Sequence, residues 1–163
     1  MPASKSAVPR GWIGGGSKTA DPWKQFERYL DKEGLRATEE RRVVLDVIVS
    51  RKGHFDAEEL QQFLRRRRKP VSRATLYRTL DHLILAGLVK KHSFGRGHSQ
   101  YEYVYGRKHH DHMVCDRCGR VIEFVNDRIE SLQDQVCREH GFRATNHVME
   151  IFGVCSECAR ADE

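Results

Sequence analysis

The chain has 163 residues, 32% of them charged, a mean hydropathy of −0.67 and a formal net charge of +6. That length holds one ordinary domain or two small ones. The hydropathy excludes a membrane protein, since no run approaches the apolar length of a spanning helix. Lys5 and Arg10 stand near the N-terminus without an apolar stretch after them, so no secretory signal is expected and a reduced, cytoplasmic setting is the simplest reading. The charge is divided along the chain. Residues 1–100 carry 21 Lys+Arg against 11 Asp+Glu, and residues 101–163 carry 8 against 12. A basic first part joined to an acidic second part points to a polyanion-binding module followed by a different kind of domain.

Residues 1–20 are rich in Gly, Ser, Pro and Ala and are expected to form a flexible tail. Asp21-Pro22 then opens a helix whose Trp23, Phe26 and Leu30 share a face, and Gly34 stops it. Thr38 caps a second helix, with Glu39 and Glu40 in its first turn and Val44, Leu45 and Ile48 inward. Asp56 and Glu59 make a capping box for a third, carrying Leu60, Phe63 and Leu64. Ser72 caps a fourth, with Leu76, Leu80, Leu83 and Ile84 inward and Gly87 at the stop. A strand over Leu88–Phe94, a Gly95-Arg96-Gly97 turn and a strand over Gln100–Tyr105 follow, which is a β-hairpin by period and punctuation. Helices followed by a two-stranded wing describe a winged helix-turn-helix over residues 21–105. Residues 106–163 read as strand (Asp111–Cys115), strand (Val121–Phe124), helix from N-cap Asn126 with Ile129, Leu132 and Val136 on one face, and strand (His147–Val154). The fold class is α+β.

The fourth helix begins Ser72-Arg73-Ala74-Thr75-Leu76-Tyr77-Arg78. The major groove admits one helix, and residues near its N-terminus reach base edges. Arg78 can bond guanine through two donors or contact phosphate, Tyr77 can meet a thymine methyl or a phosphate, and Thr75 and Arg73 suit phosphate contacts. A solvated basic face is the plain alternative; the wing and the charge asymmetry favour DNA. Arg65–Arg68 with Lys69 form a basic run, part of which suits a helix C-terminus; contact with a DNA backbone is the alternative, and solvated charge is the main expected role of most of it.

Cys115/Cys118 and Cys155/Cys158 form two C-x-x-C pairs. Each pair can turn back on one ion, and two pairs complete a tetrahedral all-sulfur shell that suits Zn2+ and leaves no open position, so the site is expected to be structural. Cys137, near the apolar helix face, is expected to pack in a core. His109-His110-Asp111-His112 is the second concentration of ligands. On a strand, His110 and His112 point one way while His109 and Asp111 point the other, so this segment can serve two metal sites. Mixed imidazole and carboxylate donors suit Fe2+, Mn2+ or Zn2+. A zinc hydrolase or deaminase is the rival from another class; the chain has neither H-E-x-x-H nor H-x-E paired with P-C-x-x-C.

Gly34-Leu35-Arg36-Ala37-Thr38, Ala74-Thr75-Leu76-Tyr77-Arg78, His109-His110-Asp111-His112 and both C-x-x-C pairs, in this order, resemble the ferric uptake regulator family from about residue 25 onward. The resemblance implies a homodimeric, metal-responsive repressor of A/T-rich palindromic operators, with an N-terminal winged helix and a C-terminal α/β dimerisation domain. It implies a sensory metal between the domains on His54, Glu102, His110 and His112, with Glu123, and a second metal in the dimerisation domain on His109, Asp111, Glu130 and His147. It also assigns Arg36 to a minor groove, Arg41 to a phosphate, and Tyr77 and Arg78 to the bases. Manganese-, zinc- and peroxide-responsive branches share this scaffold. Glu at positions 102 and 123, and no cysteine before residue 115, favour the iron-responsive branch.

Overall fold

Asp21 starts the first helix by accepting the Trp23 amide at 2.9 Å, and Pro22 occupies the first helical position, where its missing N–H has no helical partner to lose. The structure, a computed structural model, describes residues 21–51, 53–94 and 99–161. The expected tail over residues 1–20 and the expected turn Gly95-Arg96-Gly97 lie outside the described residues. One compact unit ends at Arg107 and the other begins at Lys108.

In the first unit, α1 (Pro22–Lys32) buries Phe26 and Leu30. α2 (Glu39–Ser50), capped by Thr38, buries Val43, Val44, Leu45, Val47 and Ile48. α3 (Ala57–Arg66) opens with both halves of its capping box: the Glu59 amide donates to Asp56 Oδ1 at 2.7 Å, and the Asp56 amide to Glu59 Oε2 at 3.2 Å. α4 (Arg73–Leu85) is capped by Ser72, whose Oγ accepts the Thr75 amide at 3.1 Å. Its Leu76, Leu80 and Leu83 are completely buried, each contributing on the order of 2 kcal/mol. They join the α2 and α3 side chains in one core, which fixes the α4 axis and leaves Arg73, Tyr77 and Arg78 outward.

Three antiparallel strands complete this unit: β1 (His54–Asp56), β2 (Val89–His92) and β3 (Gln100–Tyr103), in the order β1-β3-β2. The sequence reading anticipates a two-stranded wing. The added strand is β1, whose residues pair His54 with Glu102, Phe55 with Tyr101 and Asp56 with Gln100. Three residues are too few to display a period of two, and Asp56 already serves as a helix cap.

The second unit is built on β4 (Asp111–Cys115), β5 (Val121–Phe124) and β6 (Glu150–Gly153), in the order β5-β4-β6, with β6 parallel to β4. β6 is shorter than the expected strand over His147–Val154. α5 (Asp127–Glu139) lies between β5 and β6, and its cap Asn126 accepts from the Arg128 and Ile129 amides. A short α6 (Ser156–Arg160), absent from the sequence reading, follows Cys155. α5 buries none of its residues in the single chain. Leu132 and Val136 are 60% and 53% exposed, and Cys137, expected in a core, is only half-buried. A helical apolar face is legible in sequence, but what covers it is not.

Candidate metal centres and DNA-reading surface

β1–β3 pairing sets His54 opposite Glu102, and the Glu102 side chain is 1% exposed. Its Oε2 faces His92 Nε2 at 3.3 Å and His54 Nε2 at 3.7 Å. Its Oε1 accepts from Arg107 Nη1 at 2.6 Å. The His92 ring stacks on Phe94, with centroids 5.0 Å apart, and His54 meets Phe94 edge-on at 5.5 Å. The ligand atoms of His54, His92 and Glu102 lie within 4.8 Å of one another. Two imidazoles and a buried carboxylate at this spacing fit a divalent ion. Sequence reasoning names His54 and Glu102 but omits His92. The missing signal is register: Lys90 pairs with Glu102, so His92, two residues on, shares that face.

In the second unit only Asp111 and His112 of the expected four-residue strand segment lie on β4; His109 and His110 precede it. His109 Nε2 lies 3.1 Å from Asp111 Oδ1 and 3.4 Å from Glu130 Oε1. His147 Nε2 lies 3.8 Å from Asp111 Oδ1 and 3.5 Å from Glu130 Oε1. Thus His109, Asp111, Glu130 and His147, from three parts of the sequence, converge within 4.8 Å. Asp111 is 1% exposed, and its Oδ2 and His147 Nε2 are buried without a hydrogen-bond partner among the described residues. Buried polar atoms are normally satisfied; a divalent cation fits this donor set and would engage them. His110 and His112 share another side, with ring centroids 5.1 Å apart, and His110 Nε2 lies 3.8 Å from Glu123 Oε2. Pairing of β4 with β5 sets His112 opposite Glu123.

Cys115, Cys118, Cys155 and Cys158 place their sulfurs within 4.8 Å of one another, and Cys118 Sγ lies 3.7 Å from Cys155 Sγ. Four sulfurs at Zn–S distances of about 2.3 Å form a tetrahedron with edges of about 3.8 Å. All five cysteines are free thiols. Backbone amides near Cys118 and Cys155 hold the Cys115 thiol down to about 6, and the Cys155 amide donates to its sulfur at 3.3 Å. Hydrogen bonding with Cys155 and Cys118 pushes Cys158 up to about 12. One sulfur is prepared as thiolate and another resists ionisation beside it; a dication fits because it lets all four ionise. Arg120 donates to both Glu157 carboxylate oxygens, at 2.6 and 2.5 Å, tying the segment before β5 to α6. This clasp is absent from the sequence reading.

On the first unit, Tyr77 and Arg78 are exposed on α4. Arg73 also faces solvent, with Nη2 donating to Glu58 Oε1 at 3.0 Å and its guanidinium over the Tyr77 ring. Thr75 is half-buried, and its hydroxyl accepts from Ser72 Oγ at 2.9 Å. Arg36 is exposed, and its carbonyl accepts from Arg41 Nη1 at 2.7 Å.

The model of the Ferric uptake regulator family matches residues 32–152. The chain belongs to the ferric uptake regulator family. It is a metal-responsive transcriptional regulator and not an enzyme. The Ferric uptake regulation protein of Campylobacter jejuni is 38% identical over 137 residues, covering 83% of this chain and 87% of that protein. The solved structure of the Helicobacter pylori ferric uptake regulator Fur, described as having three functional metal binding sites, aligns with a TM-score of 0.77 and 28% identity over 86% of this chain and 95% of that one. A zinc-bound manganese uptake regulator aligns at 0.59 with 39% identity, over 80% and 98%. No helix among the described residues is long and apolar enough to cross a membrane. In this ferric uptake regulator family member, the two C-x-x-C pairs and the His109–His112 segment therefore stand in a family fold with ligand clusters on both units.

Proposed function

We propose that the chain is an iron-responsive repressor that binds A/T-rich palindromic operators as a cytoplasmic homodimer when a sensory divalent metal is bound. The observation that carries this reading is buried Glu102 between His54 and His92, on the unit that also bears α4. The sensory metal takes His54 and Glu102, joined by His92, from that unit and His110, His112 and Glu123 from the other, so the full ligand set exists in only one arrangement, and the metal selects it. A second metal is held by His109, Asp111, Glu130 and His147. Zn2+ on Cys115, Cys118, Cys155 and Cys158 is structural. Tyr77 and Arg78 read base edges, Arg73 and Thr75 contact phosphates, Arg41 contacts a phosphate, and Arg36 enters a minor groove, where narrow A/T tracts favour arginine. Exposed Leu132, Val136, Ile151 and Phe152 support pairing with a second copy.

The test is anaerobic fluorescence anisotropy on an A/T-rich palindromic duplex. Chelator-treated protein that retains its four-cysteine zinc is titrated separately with Fe2+, Mn2+ and Zn2+. Tight binding only after metal addition, strongest with Fe2+ at micromolar levels or below, is expected, and His110→Ala abolishes it while keeping the four-cysteine zinc. Equal binding without added metal refutes the switch. The second reading is a manganese- or zinc-responsive regulator, favoured by the likeness to a zinc-bound manganese uptake regulator; preference for Mn2+ or Zn2+ in the same titration selects it.

A further inference from the structure

Three helices end alike. After α1, the Gly34 amide donates to Asp31 O at 3.1 Å and the Leu35 amide to Leu30 O at 2.8 Å. After α4, Gly87 donates to Ile84 O at 3.0 Å and Leu88 to Leu83 O at 2.9 Å; after α5, Gly141 donates to Arg138 O at 3.1 Å and Phe142 to Cys137 O at 2.7 Å. The closing residue is left-handed each time, with φ of +67°, +74° and +59°, and each time it is glycine, which has no Cβ to clash. α3 closes with the same two bonds, Arg68 to Arg65 O at 3.0 Å and Lys69 to Leu64 O at 3.1 Å. Here the left-handed residue is Arg68, at φ +54°, the single non-glycine residue with positive φ among the described residues. An L side chain in that conformation is strained where glycine would not be.

What the strain retains is a cation. Arg65, Arg66, Arg67, Arg68 and Lys69 are all exposed. The Arg67 guanidinium lies over the Phe63 ring, 4.6 Å from its centroid. Arg65, Arg66, Arg68 and Lys69 have no ion-pair partner among the described residues, whereas Arg73 is paired with Glu58 and Arg120 with Glu157. The run spans the last residues of α3 and the start of the turn to α4, with Pro70 and Val71 between it and the α4 cap Ser72.

We propose that Arg68, within this basic turn, is a phosphate contact to the backbone of duplex DNA beside the groove entered by α4, kept in a left-handed conformation at the expense of stability. The inference rests on the reading of α4 as the recognition helix. It selects for Arg68 the backbone contact that the sequence leaves as the alternative to solvated charge. Phosphate contacts hold register and orientation without reading sequence, so this one acts equally on all duplexes. Strain retained at an exposed charged position, with a glycine solution used three times elsewhere in the same chain, is the pattern of function set against stability.

The experiment compares the full chain, loaded with its metals, with Arg68→Gly and Arg68→Lys. Thermal unfolding is read together with anisotropy on an A/T-rich palindromic duplex and a mixed-sequence duplex, across a salt series. Arg68→Gly is expected to raise Tm while weakening binding to both duplexes by the same factor, roughly fivefold per contact at 0.15 M salt, and to flatten the salt slope by about 0.9 per protein copy. Arg68→Lys keeps affinity and slope. Unchanged affinity and slope in Arg68→Gly overturn the phosphate contact, and an unchanged or lowered Tm removes the conformational argument. If the wild-type protein binds neither duplex with metal present, the recognition-helix reading itself fails and this inference falls with it.

Discussion

Arg107 Nη1 lies 2.6 Å from Glu102 Oε1, while Oε2 of the same carboxylate faces His92 and His54. A carboxylate this deeply buried is costly without a counter-charge. The pairing divides its two oxygens: one is neutralised by the guanidinium and the other is left toward two imidazoles. Arg107→Ala is therefore expected to destabilise the metal-free protein by about 1–3 kcal/mol, less than for a fully buried pair because the arginine is partly exposed. Zn2+ or Mn2+ should recover much of the loss by supplying the missing positive charge. Thermal unfolding with and without metal checks this; no loss in Arg107→Ala, or a loss that metal leaves untouched, contradicts it.

Asp111 anchors the cluster of the second unit, with two imidazoles sharing its Oδ1. Asp111→Asn and His147→Ala should each remove one divalent ion per chain by elemental analysis, and the four-cysteine zinc should remain. Loss of both ions together would mean that the two clusters are one folding unit.

Cys118→Ser should reduce zinc by one equivalent per chain and destabilise the second unit by several kcal/mol, because an all-sulfur zinc site contributes directly to folding. Stripping this zinc from the wild-type protein, under harsher chelation than removes the other metals, should reproduce the effect. A variant with full zinc content and wild-type Tm would remove the structural role of this site.

His82 on α4 lies with its Nδ1 3.3 Å from the Tyr29 hydroxyl on α1. Desolvation, then the nearby Arg41, lowers its pKa below 6.5. The unfolded chain therefore binds this proton at higher pH than the folded one, so the stabilising contribution is complete above pH 6.5 and declines as pH falls toward the folded value. His82→Gln should flatten the fall of Tm between pH 7 and 5. An identical slope in the variant would dismiss His82 as a source of acid sensitivity.

Much of this chain is legible locally. Asp21, Thr38, Asp56, Ser72 and Asn126 cap the helices expected of them, because a cap depends on residues within one turn. The two C-x-x-C pairs are local for the same reason: the spacing itself directs the side chains. Tertiary structure alone decided the rest. His92 and Arg107 join Glu102 only once strand register and chain path are set, and register is a relation between residues far apart in sequence. β1 exists because β3 offers it hydrogen bonds. The strain at Arg68 is likewise invisible in a run of arginines, since the sequence specifies a cation there while the backbone bonds closing α3 decide that it must be left-handed.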